Sequence, residues 1–254
     1  GSPSSLRMAC YDTNVQTTRS AKRNLMEIML GSLVRDAKEA EGTVIIIDVF
    51  RAFTTAAIAF DRGADHIVLV AEIEEALALK SRGVGDLLMG EVDGTRPDGF
   101  DYGNSPYEIS TADVAGKTIV QSTRAGTVGV AAATKADNIF LGSFVVAHAT
   151  VNAVIEETPD LVSIIAMGDR GIYRSDEDEQ CGLYLRNLME GRMPAEEAVL
   201  NVVMDGGQTQ KFFDPAQSQY HPEDVELALQ LNRYPFAMKI SREDGLLVAR
   251  KVGG

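Results

Sequence analysis

The chain has 254 residues, 45% of them hydrophobic, and a formal net charge of −13. That length supports one large or two small domains with a full core, and the acidity argues against nucleic acid as a partner, because phosphate backbones select basic surfaces. No apolar run approaches the ~20 residues that a bilayer-spanning helix needs, so no membrane partner is expected. In chain order, the first forty residues are the hardest to assign. Their polar opening, GSPSSLRMAC, reads as lacking a signal peptide, and Gly1-Ser2 resembles a cloning remnant. The stretch RNLMEIMLGSLVRDAKEA (23–40) carries a helical pattern without an evident place.

From Thr43 the pattern sharpens. Strands are predicted over Thr43–Ile47, His66–Val70, Asp86–Met89, Thr118–Gln121, Asn138–Leu141 and Leu161–Met167, each apolar enough to be covered on both faces. Helices are predicted between them, over Ala52–Arg62, Glu72–Arg82, Thr127–Lys135, Val145–Glu157 and Glu177–Glu190, with another opening after Pro194. This alternation predicts a single three-layer α/β/α domain with a mostly parallel or mixed sheet. Two long segments, 90–110 and 205–224, interrupt it, and loops of that length in a compact domain are usually functional or disordered. Phe100, Tyr102 and Tyr107 give the first of them apolar anchors, which favours order. The tail, PFAMKI and LLVARKV around Asp244-Gly245, reads as a C-terminal β-hairpin at a sheet edge.

The chemistry collects at strand ends. IIIDVFRAFTT (45–55) runs from a buried strand into Asp48, then Arg51, then a helix N-terminus, which places a carboxylate, a guanidinium and free N–H groups together. TIVQSTRAGTVGVAAATKADNIF (118–140) repeats the device: Arg51-Ala52 aligns with Arg124-Ala125, and Thr54 with Thr127, so an internal strand–loop–helix duplication is expected. In STRAGT, the residues Ser122, Thr123, Arg124, Gly126 and Thr127 offer hydroxyls, a guanidinium and a close backbone approach to a phosphate, with plain N-capping of the following helix by Ser122 or Thr123 as the alternative. A third strand ends in Gly168-Asp169-Arg170, and open α/β sheets bind ligands at such strand ends.

SDEDEQCGLYLRNLMEG (175–191) resembles a capping box through Ser175 and Asp178. Helical spacing from Cys181, Tyr184, Leu185 and Leu188 nevertheless turns Glu177 and Asp178 toward the buried face and Asp176 and Glu179 outward. Buried carboxylates without a basic neighbour suggest a hard cation such as Mg²⁺. Other chemistries fit less well. An aspartyl nucleophile of the haloacid-dehalogenase type needs a second acid where Phe50 stands, and there is no P-loop, no Cys-x5-Arg loop and no glycine-flanked serine elbow. Cys10 and Cys181 have no Cys or His neighbour at metal-ligand spacing, and two cysteines make no disulfide framework, so a cytoplasmic location is expected.

DVFRAFTT, MGEVDG with GFDYGNSPYE, STRAGT, LGS (141–143), EDEQCG and the tail LNRYPFAMKISREDGLLVARKV together resemble the 2-phosphosulfolactate phosphatase family, from about Gly42 to the C-terminus. The resemblance implies Mg²⁺-dependent hydrolysis of a small anionic phosphate monoester on the route to coenzyme M. On that reading Asp48, Glu91, Glu177 and Asp178 are the candidate Mg²⁺ ligands, one of them acting on water. Arg51, Arg124 and the 122–127 loop hold the phosphoryl oxygens, and Asn104 and Ser105 close over the substrate. Asp48 is the residue that would carry a phosphoenzyme if one forms. Departures at Phe50, Arg124-Ala125 and Phe144-Val145-Val146 bear on which phosphorylated acid is used. A non-catalytic anion-binding protein and a phosphatase for another acid stay open at this point, as does a homo-oligomer.

Overall fold

The computed structural model describes residues 26–253. Among them nine strands form one mixed sheet: β1 (Glu27–Ser32), β2 (Gly42–Ile47), β3 (His66–Val70), β4 (Leu87–Gly90), β5 (Thr118–Ser122), β6 (Ala136–Gly142), β7 (Leu161–Ala166), β8 (Ala237–Glu243) and β9 (Leu246–Val252). The strand order is β1-β7-β2-β6-β8-β9-β3-β5-β4. The helices are α1 (Leu33–Glu39), α2 (Ala52–Asp61), α3 (Ile73–Ser81), α4 (Pro106–Ser110), α5 (Gly126–Ala132), α6 (Ala147–Glu156), α7 (Asp176–Met189), α8 (Glu196–Asp205), α9 (Gly207–Gln210) and α10 (Pro222–Ala228).

The pleat sorts the strand side chains into two cores, giving three layers. Val44 and Ile46 of β2 and Ile67 and Leu69 of β3 bury against α1, α2, α4 and α5. The alternate residues turn the other way: Ile45 and Ile47 meet α6 and α7, and Val68 and Val70 meet α3. Because every central position is apolar, these strands read as continuous runs, as expected for a sheet covered on both faces.

The hairpin differs from its sequence expectation. It closes through Asp244 and Gly245, both at positive φ (49° and 84°), the backbone that a two-residue primed turn requires. It does not lie at an edge: β8 pairs with β6 and β9 with β3, both antiparallel, in the middle of the sheet. Met238, Ile240 and Ala249 fill one core while Ala237 and Val248 face the opposite side, so both faces are apolar and an edge would leave one of them wet. One true edge is β1, where the sequence pattern predicts a helix. Its Met29 and Leu30 are exposed, and it pairs only with β7. The part of the 23–40 segment before residue 26 lies outside the described residues.

The expected duplication takes the form of an exchange. In β2–α2–β3 and β5–α5–β6, the first strand of each unit pairs in parallel with the second strand of the other, β2 with β6 and β5 with β3. Three antiparallel pairings separate β6 from β3, so the two parallel halves run in opposite directions. The carboxyl ends of β2 and β5 nevertheless meet, since Asp48, after β2, accepts the Gly126 N–H at the start of the helix that follows β5.

Candidate functional site

Asp48 follows β2 directly and is buried between two helix N-termini. Its Oδ1 accepts the Ala52 N–H at the start of α2 (3.0 Å), and its Oδ2 accepts the Gly126 N–H at the start of α5 (2.8 Å). One carboxylate thus satisfies a free donor, and meets the positive dipole end, of the equivalent helix in each repeat. Gly126 is required by this closeness: a Cβ there would stand 2.8 Å from Asp48 Oδ2 and 3.0 Å from Phe53. The repeat is reciprocal, since Gln121, the counterpart of Asp48, donates from Nε2 to the Ala52 carbonyl (2.9 Å). Glu91, just past β4, accepts the N–H groups of Gly94 (2.7 Å) and Arg124 (2.8 Å), so it fixes the second arginine loop.

The first turn of α7 brings in two more acids, in agreement with helical spacing; Glu177 and Asp178 are both buried, while Asp176 is exposed. The capping box is not formed, because Ser175 makes no side-chain capping bond. Asp178 instead joins two loops. Its Oδ1 accepts the Val49 N–H (2.7 Å) and its Oδ2 the Gly168 N–H (2.8 Å), which ties the loops after β2 and β7 together. Burial, then repulsion from Glu177 and Asp48, holds its carboxyl well above the usual range. Burial raises Glu177 to about 7, and burial together with the nearby Glu91 charge raises Asp48 to about 6.

These shifts fix a sign for stability. Between its ordinary value of 4.5 and about 7, Glu177 keeps its proton in the folded state and loses it in the unfolded one. Stability must therefore fall as pH rises through that window. We expect denaturant unfolding of the metal-free protein to show a smaller free energy at pH 8 than at pH 5. Glu177→Gln should lessen that decline, and an unchanged slope in the variant would refute the assignment.

Cations complete a cavity of about 360 Å³ lined by Asp48, Arg51, Glu91, Arg124, Glu177 and Lys211, among others. The Arg51 guanidinium is buried and held by three acceptors: it donates to Asp224 Oδ2 (3.2 Å), the Gln219 carbonyl (3.2 Å) and the Gly94 carbonyl (3.0 Å). Arg124 is exposed at the rim, and Arg170 pairs with Asp93 at 3.0 Å. Asn104 is buried against the cavity, and its Oδ1 has no hydrogen-bond partner within the chain.

The structure therefore brings Asp48, Arg51, Glu91, Asn104, Arg124 and Glu177 to one cavity, and places other expected residues elsewhere. Thr123 and Thr127 bond to each other and across the first turn of α5, the capping alternative, with Thr127 Oγ1 donating to the Thr123 carbonyl (2.9 Å). Ser122 is buried as the last residue of β5, and Gly126 spends its N–H on Asp48. Ser105 caps α4 and donates to Asp224 Oδ1 (2.6 Å) instead of facing the cavity. Asp178 is not part of the cavity lining, and its two oxygens accept the Val49 and Gly168 N–H groups. Among the described residues no three His, Cys, Asp or Glu side chains form a ready-made metal cage. Asp169, at the third strand end, lines the cavity too, as do Lys211 and Tyr220, which no local motif marks for it. The one available signal is that the 205–224 segment is too long to be idle.

Comparison with known proteins gives the family. The profile described as 2-phosphosulpholactate phosphatase matches residues 30–240. The probable 2-phosphosulfolactate phosphatase of Bacillus subtilis (strain 168) is 32% identical over 205 residues, covering 79% of this chain and 87% of that protein. A protein of the same name from Thermus thermophilus is 40% identical over 129 residues, 50% of this chain and 54% of its own length. Another, from Clostridium novyi, is 30% identical over 166 residues, 65% and 70% of the two chains. No described helix is long and apolar enough to cross a membrane. The matched span runs from the edge strand into the hairpin and contains every residue that lines the cavity; the chain belongs to the 2-phosphosulpholactate phosphatase family and is a phosphoric monoester hydrolase.

Proposed function

We propose that this phosphatase acts in the cytoplasm on a small phosphorylated hydroxy acid, 2-phosphosulfolactate or a near analogue, with Mg²⁺ as cofactor. The observation that carries the reading is the single cavity in which buried Asp48 and Glu177 meet cationic side chains at the ends of strands from both repeats. Its volume of about 360 Å³ suits a small acid better than a polymer, and the relatives' names supply the substrate.

Phosphoryl transfer asks mainly for positioning and charge stabilisation. Arg124 at the rim and the fixed positive charge of Arg51 supply these to the phosphoryl oxygens. Mg²⁺ usually takes one or two carboxylates, keeping water and substrate oxygens for the rest of its shell. Asp48 and Glu91 would supply that partial donor set: both line the cavity, the Glu91 charge raises the Asp48 pKa, and a nearby cation would offset that repulsion. When bound, Mg²⁺ would neutralise charge on the phosphoryl group. Glu177, with a pKa of about 7, is suited to take the proton of the attacking water near neutral pH. Both Asp48 oxygens already accept helix N–H groups, which favours water over Asp48 as the attacking group.

The test is phosphate release from a panel of phosphorylated small acids, with Mg²⁺ and after chelation. Mg²⁺-dependent release, fastest with 2-phosphosulfolactate, is the expected result. Binding without release from any member would overturn the substrate proposal, and release that survives chelation would remove the metal.

A further inference from the structure

We infer that Lys211 contacts the phosphoryl oxygens directly, and that Arg51 is a positioning residue that holds the lysine's segment against the site. The inference rests on the phosphatase reading of the cavity and concerns which cation touches the anion. Arg51 has three protein acceptors for its guanidinium, including the buried carboxylate of Asp224. Lys211 lines the same cavity, yet among the described residues it makes no ion pair. Its one side-chain hydrogen bond is to a neutral group, Gln208 Oε1 at 2.6 Å.

Both cations lie over the same two rings. Arg51 stands 4.9 Å from the Tyr220 centroid and 5.9 Å from Phe212, and Lys211 Nζ stands 4.8 and 5.8 Å from the same rings. Two like charges gathered on one aromatic pair, with the Asp224 carboxylate already taken by Arg51, leave the Lys211 ammonium facing the cavity without a direct ion pair among the described residues, although the Asp169 and Glu177 carboxylates act on it. Burial pushes the Lys211 ammonium below its ordinary range and Arg51 pushes it the same way, opposed by Asp169 and Glu177. A bound oxyanion would reverse that unfavourable setting. The segment also accounts for two of the Arg51 bonds: by bonding to the Gln219 carbonyl and Asp224, Arg51 secures the stretch that carries Lys211, Phe212 and Tyr220.

The competing explanation is packing alone, with the lysine stem merely covering the rings, which a methionine would do as well. Lys211→Met keeps the stem, Lys211→Arg keeps the charge, and inorganic phosphate is the probe. Calorimetric titration should show phosphate binding at least ~10-fold weaker in Lys211→Met, about 1.4 kcal/mol, with partial recovery in Lys211→Arg. The melting temperature without phosphate should be unchanged or raised, because a partly buried charge has been removed. A folded Lys211→Met that binds phosphate as tightly as the wild type would overturn the inference, as would a wild type that binds no phosphate at millimolar concentration. The two readings fail separately. Phosphate binding that depends on Lys211 in a protein that hydrolyses nothing keeps this inference and removes the phosphatase reading of the cavity. Turnover with unaltered phosphate affinity in Lys211→Met does the reverse.

Discussion

Asp48→Asn is expected to lower kcat/KM by roughly 10²–10⁴-fold or more, the range associated with losing a catalytic acid–base or charge-bearing group. The substitution keeps size and shape but removes the charge from the one side chain that joins the N-termini of α2 and α5. It also sets an amide N–H₂ against one of two backbone donors, so one helix N–H loses its acceptor at a cost of about 1–3 kcal/mol. That cost is partly offset above pH 6, where native Asp48 is itself a buried, ionised group with a pKa of about 6. The variant should therefore be closest to the wild type in stability at pH 8 and furthest from it near pH 5. Circular dichroism melts at both values separate the folding effect from the kinetic one. Partial rescue of turnover by high Mg²⁺ would favour a role in holding the metal. Near-normal hydrolysis of the native substrate by the folded variant would remove Asp48 from the mechanism.

Asp224→Ala should give the largest loss of stability. Asp224 is fully buried and holds three partners at once: the Arg51 guanidinium at 3.2 Å, the Ser105 hydroxyl at 2.6 Å and the Tyr107 N–H at 2.9 Å. Removing it leaves Arg51 as a buried cation without a countercharge, and breaking a buried pair from one side costs roughly 3–5 kcal/mol. Against the ~5–15 kcal/mol that holds a typical domain together, this is a large fraction. Urea unfolding would measure it. Asp224→Asn should lose less, because it keeps an acceptor for Tyr107 or Ser105 while giving up the charge. A change below about 1 kcal/mol in Asp224→Ala would mean that Arg51 finds another partner, and its placement as a fixed cation would have to be withdrawn.

Local sequence determined most of the strands: β2 and β3 are apolar at consecutive positions, as short strands buried on both faces are, and β5 and β7 keep that character around Gln121 and Ser163. It also determined which acids of α7 point inward, since helical periodicity alone puts Glu177 and Asp178 on the side of Cys181 and Tyr184. It marked Asp48 and the arginine loops for the same local reason: a strand ending on a charged residue beside a helix N-terminus is visible in a dozen residues. Tertiary structure decided where each of these groups went. The central place of the hairpin depends on β6 and β3, each some hundred or more residues upstream, and nothing within the hairpin names its partners. The edge strand β1 escaped because it pairs on one side only and leaves Met29 and Leu30 exposed, so it lacks the pattern of a buried strand. Asp178 and Glu177 are adjacent and chemically alike, yet one is spent on the Val49 and Gly168 N–H groups and the other faces the cavity. Lys211 became part of the site because Arg51, more than 150 residues earlier, is tied to the segment that carries it. Periodicity records which face of an element is buried; which donor meets which acceptor across the sheet is set by distances that exist only once the chain has folded.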